Sequence, residues 1–379
     1  METLAQNART WAEIDLAALL HNYNIAKRHG KKVMCVIKAD AYGHGAVPCG
    51  LFLEAHGADA FAVACLQEAI ALREGGIKAP ILVLGHTEAE YAALIAENDI
   101  TQTLVDESAA QEFSAAAKAA NVTVKAHIKL DTGMSRAGLL AQGEENGMEA
   151  AYAAERIIHM ENINVVGMYT HFSVADTPSE DAYTAWQLEN YMRVYNYLCE
   201  KGIRPETCHT SNSACILAHP ETVIDMVREG VMLYGMYPDS VPQEGELKPV
   251  MTLKTRVSQV RDLPAGTTVS YGRTFKGEKP FRTAVMLAGY ADGYNRRMSN
   301  NTTVTINGKR YPQVGRICMD MCMADITGAD DIKRGDEVTL VGGDSITWEE
   351  AAQKVGTINY ELTCLVTARS RRIYVNGDK

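Results

Sequence analysis

The chain has no apolar run approaching the ~18 residues that a membrane-spanning helix needs, and residues 1–10 lack the basic-then-apolar pattern of a secretory leader. Excess positive charge is missing too. A net charge of −10 argues against a nucleic-acid surface, although a local basic pocket for a phosphate or carboxylate remains open. The nine cysteines are odd in number, scattered, and include no CxxC pair. Cys318 and Cys322 have neither a second pair nor a nearby histidine to complete a zinc set, so reduced thiols and no metal are expected. Tandem repeats and low-complexity tracts are lacking as well. Together these absences lead us to expect a cytoplasmic globular protein.

At 379 residues the chain is long enough for two domains, one of them a barrel of about 250 residues. From residue 33 to about 235, short β-rich segments alternate with Ala/Glu-rich amphipathic stretches, the sequence form of repeated βα units. Eight strands are predicted, at 33–38, 60–65, 81–84, 100–105, 122–130, 165–170, 207–210 and 223–227. Helices are predicted at 88–97, 107–120, 144–160 and 180–201, where apolar residues recur at three- and four-residue spacing. After Tyr237-Pro238 the pattern changes to period two, with strands expected at 252–260, 283–288, 302–306 and 337–341 and an Asn307-Gly308 hairpin turn. One short helix, 348–355, is expected behind a Thr347 cap. The fold class is therefore α/β plus β: a (β/α)8 barrel over residues 1–240, then a mainly antiparallel β domain over 241–379. The early segment 11–16 reads as a strand preceding the barrel and joining the β domain.

Barrel enzymes carry their chemistry at the C-terminal ends of the strands. Lys38 closes the apolar stretch Val33 to Ile37 and precedes a glycine-rich loop, a place suited to a Schiff-base amine whose pKa burial lowers. Taken alone, such a lysine is more often a surface residue. Four other strand ends carry polar groups as well: Lys129 to Arg136, Tyr169 to Ser173, His209 to Ser213, and Arg228 to Val231. Asn212-Ser213 beginning a helix, Gly230-Val231 and Tyr42 offer the donors a phosphate monoester needs; Ser213 could equally serve as a helix cap.

The run Val36-Ile37-Lys38-Ala39-Asp40-Ala41-Tyr42-Gly43-His44-Gly45 resembles the pyridoxal-phosphate lysine signature of the alanine racemases. The likeness continues, in order, through Lys129-Leu130-Asp131-Thr132-Gly133-Met134-Ser135-Arg136, Thr170-His171-Phe172, Asn212-Ser213 and Arg228-Glu229-Gly230-Val231. It extends into the second half at Val269-Ser270-Tyr271-Gly272-Arg273, Gly289-Tyr290-Ala291-Asp292-Gly293, Gly315-Arg316-Ile317-Cys318-Met319-Asp320 and Ile358-Asn359-Tyr360-Glu361.

That resemblance implies a fold-type-III enzyme interconverting L- and D-alanine with pyridoxal 5′-phosphate, supplying D-alanine for peptidoglycan. It further implies a head-to-tail homodimer in which the β domain of one subunit completes the other's site. Lys38 would bond the cofactor aldehyde. Tyr42, Asn212, Ser213, Gly230, Val231 and Tyr360 would hold the phosphate end, and Arg228, linked to His171, would face the pyridine nitrogen. Lys38 and Tyr271 from the other subunit would be the two bases, one on each face of Cα. Arg136 and Met319 would bind the substrate carboxylate, Tyr290 would narrow access, and Lys129 is a position the family often carbamylates.

Four rivals are weighed against this reading. A serine or broader-specificity racemase has a smaller polar residue where Tyr360 stands. A decarboxylase of the same fold lacks the Tyr271 segment. A non-catalytic cofactor carrier stops after the barrel, and a metal-dependent hydrolase would need more ligands than His171 and His209.

Overall fold

The computed structural model describes residues 8–238, 241 and 245–377. The chain opens with β1 (Thr10–Asp15), and Asp15 then caps the helix Leu16–Lys27 by accepting the amide of Ala18 at 2.9 Å. Eight parallel strands follow: β2 (Lys32–Val36), β3 (Ala60–Val63), β4 (Ile81–Val83), β5 (Ile100–Leu104), β6 (Val124–Asp131), β8 (Ile163–Tyr169), β9 (Thr207–His209) and β10 (Met226–Glu229). A two-residue β7 (Leu139–Leu140) lies beside β6. The hydrogen-bonded order is β10-β2-β3-β4-β5-β6-β8-β9. Backbone bonds from Asp225 to Cys208 (3.1 Å) and from Arg228 to Ser211 (3.0 Å) link β9 to β10, nearly closing the barrel. All residues of β3, β4 and β5 are buried; β3 and β4 read as continuous apolar runs without alternation, while β5 buries Thr101, Gln102 and Thr103 between Ile100 and Leu104.

The helices cover the barrel. Gly143–Ile158 buries a stripe of alanines, Ala150, Ala151, Ala153 and Ala154, and packs beside Asp181–Glu200, which buries Tyr191, Val194 and Leu198. Both match their predicted spans to within two residues. The eighth strand differs: it is Met226–Glu229 and not 223–227, because Pro220–Thr222 forms a 3-10 turn that delays its start.

The second half is built around β11 (Met251–Leu263), whose first eight residues alternate buried and half-buried. β12 (Thr268–Val269) and β13 (Phe275–Lys276) form a small ribbon. β14 (Phe281–Met286) pairs with β11 and β17 (Cys322–Asp325), while β18 (Glu337–Val341) bridges β11 and the hairpin of β15 (Thr303–Ile306) and β16 (Lys309–Pro312). Asn307 and Gly308, with φ of 49° and 74°, make the hairpin turn. The helix Trp348–Val355 has a Thr347/Glu350 capping box. A second helix, Asn359–Cys364, corrects the expectation of one. β19 (Arg371–Val375) runs parallel to β1, and β1 pairs antiparallel with β11, so the first strand of the chain lies in this sheet. The boundary drawn after residue 240 lies outside the described residues. No helix among the described residues is long and apolar enough to cross a membrane.

Candidate active site

A cavity of about 650 Å³ opens at the C-terminal ends of the barrel strands. Lys38, Tyr42, Lys129, Arg136 and His171 line it from β2, β6 and β8. Asn212, Ser213, Arg228, Gly230 and Val231 line it from the end of the barrel, and Tyr360 reaches it from the helix Asn359–Cys364. Residues from positions 38 to 360 thus converge on one space.

Lys38 enters a left-handed turn. Ala39, Asp40, Ala41 and Tyr42 have φ of 51–54°, a conformation that costs non-glycine residues about 1–2 kcal/mol each. The surroundings hold it there. Glu68 accepts the amides of Ala39 and Ala64 (both 2.7 Å), and Asp40 accepts that of Ala46 at 2.8 Å. Burial and then Arg136 lower the Lys38 pKa, which enlarges the neutral, nucleophilic fraction of the amine.

Arg228 is buried and pairs with no carboxylate among the described residues. An unpaired buried cation is costly unless it is hydrogen-bonded. Its Nη1 donates to the carbonyl of His209 (2.9 Å), and its Nη2 donates to the carbonyls of Thr170 (2.7 Å) and Thr210 (3.1 Å) and meets His171 Nδ1 at 3.2 Å. Because Arg228 only donates, His171 accepts at Nδ1 and carries its hydrogen on Nε2. Burial, then Arg228, holds His171 well below the ordinary imidazole range, so it is neutral.

Beside this lies an anion cradle. The Asn212 side chain, and not Ser213, caps the helix Ser213–Ala218 by accepting the Cys215 amide at 3.0 Å. Ser213 Oγ accepts the amides of Gly230 (2.9 Å) and Met232 (3.4 Å), leaving its hydroxyl hydrogen free to donate. A Cβ added to Gly230 would stand 3.3 Å from Tyr42 Oη and 3.5 Å from Ser213 Oγ, so the bare glycine keeps open the space where those hydroxyls converge. Tyr42 packs against Tyr234 (5.0 Å) and edge-on against Tyr360 (6.1 Å).

Lys129 is buried over the Tyr169 ring, and burial followed by Arg136 and Arg228 lowers its pKa to about 8. Asp131 does not form a salt bridge with it. That carboxylate instead accepts the amides of Gly133 (3.1 Å), Ser135 (2.9 Å) and Arg136 (2.9 Å), shaping the loop that presents Arg136.

Three predicted site residues lie elsewhere in the single chain. Tyr271 and Met319, 68% and 52% exposed, line a groove of about 690 Å³ in the β domain that shares no residue with the Lys38 cavity. Tyr290 is exposed at the start of the 3-10 turn Tyr290–Asp292 and lines neither space. Sequence reasoning named Tyr169 only as the start of a polar strand end and gave it no role of its own; its ring lies beneath Lys129 and Arg228.

Comparison with known proteins gives a consistent result. Residues 14–238 match the family profile "Alanine racemase, N-terminal domain" and residues 250–374 match "Alanine racemase, C-terminal domain". The chain is 43% identical over 369 residues to an alanine racemase of Desulfovibrio desulfuricans, covering 96% of this chain and 98% of that one. It is 44% identical over 374 residues to one of Methanococcus maripaludis, covering 97% and 98%. Among solved structures, alanine racemase of Clostridium difficile 630 superposes with a TM-score of 0.91 at 38% identity, covering 98% of this chain and 97% of that one.

Proposed function

The chain belongs to the alanine racemase family, and from that premise we propose how its own residues interconvert L- and D-alanine. The observation that carries the reading is the convergence of a lowered-pKa lysine, a buried unpaired guanidinium and a hydroxyl cradle on one cavity. These fit pyridoxal 5′-phosphate. When bound, that group supplies an aldehyde for the Lys38 amine and an electron-withdrawing ring that acidifies the Cα proton of alanine. Tyr42, Asn212, Ser213, Gly230, Val231 and Tyr360 would hold its phosphate end, and Arg228, steadied by His171, would meet its ring nitrogen. A guanidinium cannot accept a proton and disfavours one on its neighbour, so Arg228 would keep that nitrogen unprotonated.

Inversion needs a proton carrier on each face of Cα, since a single base returns the proton to the face it left. Lys38 Nζ serves one face. Tyr271 of a second copy of the chain serves the other, and its exposure in a single subunit supports that arrangement. Arg136 and the Met319 backbone of the second copy hold the substrate carboxylate, while Tyr290 and Tyr360 narrow the approach. The bulk of Tyr360 beside Tyr42 favours alanine over serine, which a higher kcat/KM for L-alanine than for L-serine would bear out.

We also infer that Lys129 is carbamylated. At a pKa of about 8 much of the amine is neutral near the same pH, and its addition to CO2 releases a proton and creates an anion able to orient Arg136. Labelled bicarbonate should give a carbamate 13C signal that Lys129→Ala lacks; identical spectra for both proteins would remove the idea. The domains are divided at residues 1–240 and 241–379, with β1 counted with the second. The enzyme is placed in the cytoplasm as a source of D-alanine for peptidoglycan.

The purified protein should show a visible absorbance band that borohydride removes and that Lys38→Ala lacks. Absence of that band from a protein supplied with pyridoxal phosphate, or its survival in Lys38→Ala, would overturn the assignment.

A further inference from the structure

Two imidazoles beneath Arg228 have no part in the mechanism above. His209 Nδ1 lies 3.0 Å from Arg228 Nη1, and His209 Nε2 lies 2.9 Å from His127 Nδ1, with all three side chains buried. A guanidinium only donates, so His209 Nδ1 accepts and bears no hydrogen. The neutral ring then carries its hydrogen on Nε2 and donates it to His127 Nδ1, which must be bare in turn. One cation thus sets the tautomers of two rings. Neither ring can take up a proton without opposing two donors, and burial followed by Arg228 lowers both, His127 to about 3.

The surroundings are shaped to this chain of bonds. Tyr169 stacks on His209 with centroids 4.9 Å apart at 4°, and its ring lies 5.3 Å from the guanidinium carbon of Arg228. Gly167 on β8 stands opposite His127 in register. A Cβ there would fall 2.4 Å from His127 Nε2, 2.5 Å from Cε1 and 2.7 Å from Cδ2, so only glycine leaves room for the ring. Barrel interiors are ordinarily filled by branched apolar side chains, and mere space-filling asks for no acceptor at Nδ1. His127 also lines a cavity of about 440 Å³ at the opposite, N-terminal mouth of the barrel, with Lys32, Asp59, Lys125 and Glu206.

We propose that His127 is a positioning residue: through His209 it holds the Arg228 guanidinium in the orientation the cofactor ring requires, and Gly167 provides the space it occupies. The wrong His209 tautomer would point a hydrogen at Nη1 and push the guanidinium off its carbonyls. The inference rests on the placement of Arg228 against the cofactor made above.

The test compares His127→Asn, whose amide oxygen can accept where Nδ1 does, with His127→Leu and Gly167→Ala, all as cofactor-loaded protein. The asparagine variant should keep kcat within about threefold. The other two should lower kcat by about tenfold or more, as expected for a buried donor left without an acceptor, with KM little changed and the cofactor absorbance shifted. In the cofactor-free chain, 15N-histidine NMR should show both rings as Nε2–H tautomers. Equal kcat for the Asn and Leu variants, or an Nδ1–H tautomer on either ring, would overturn the proposal. Should His127→Leu not fold, Gly167→Ala and the NMR tautomers decide. Arg228→Lys is the reference: if it leaves kcat and absorbance unchanged, the placement of Arg228 has failed; if it alters both while His127→Leu alters neither, only the relay has failed.

Discussion

At the scale of single residues, Glu229 separates stability from catalysis. It follows Arg228 on β10, is wholly buried, and neither carboxyl oxygen finds a hydrogen-bond partner. Burial raises its pKa well above the ordinary 4.5, so the folded chain keeps a proton that the unfolded chain sheds. Stability from this group is therefore full below the unfolded value and is lost as pH rises toward the folded one, at about 1.4 kcal/mol per pH unit. Glu229→Gln, neutral at every pH, should be more stable than the parent protein at pH 8 and gain far less at pH 5. Urea unfolding at the two pH values, at one protein concentration, measures the difference; an equal gain at both would mean Glu229 is not held protonated. Lys38 and Arg136 could be picked out from sequence because each stands at a strand end in a polar run. His127 and Gly167 could not, since their meaning lies in contacts across the barrel, His127 with a residue 82 positions away.

At the scale of elements, the left-handed turn from Ala39 to Tyr42 joins the two halves of the molecule. Gly43 ends it at φ 84°, and its carbonyl accepts from Arg372 Nε at 2.8 Å, while the His44 carbonyl accepts from Tyr374 at 3.1 Å. A Cβ on Gly43 would approach the carbonyl oxygen of Thr363 to 2.2 Å, on the helix that carries Tyr360. Gly43→Ala should displace that helix as well as strain the turn. We expect about 2 kcal/mol or more lost in stability together with weaker pyridoxal phosphate binding. Thermal unfolding and a cofactor titration check both, and unchanged cofactor affinity would mean that Tyr360 is positioned independently of the turn. Periodicity made the long elements legible: the helices Gly143–Ile158 and Asp181–Glu200 and strand β18 lie where three- and two-residue patterns put them. It misplaced β10: Arg228 and Glu229 are charged, so the apolar pattern ended the strand at Val227, yet both side chains are buried and belong to it. The helix Asn359–Cys364 is too short to show a period.

At the scale of the whole molecule, the proposed site is divided between two surfaces that one chain does not bring together. Lys38 lies in the barrel cavity, whereas Tyr271, Met319 and Met321 expose 68%, 52% and 46% of their surface around a separate groove. Large apolar side chains exposed together mark a contact surface, and a two-fold pair that places each groove over the other's barrel would form two equivalent sites. The arrangement makes a quantitative demand. Lys38→Ala and Tyr271→Phe dimers each carry a defect in both sites and should be nearly inactive. When the two proteins are mixed equally and allowed to exchange subunits, half of the dimers become hybrids. In a hybrid one site contains both substitutions, and the other contains neither. About a quarter of all sites are then intact, so roughly a quarter of the parent kcat should return. Were Lys38 and Tyr271 to act within one chain, every site in every hybrid would still carry one substitution, and no activity would be recovered however completely the subunits exchanged.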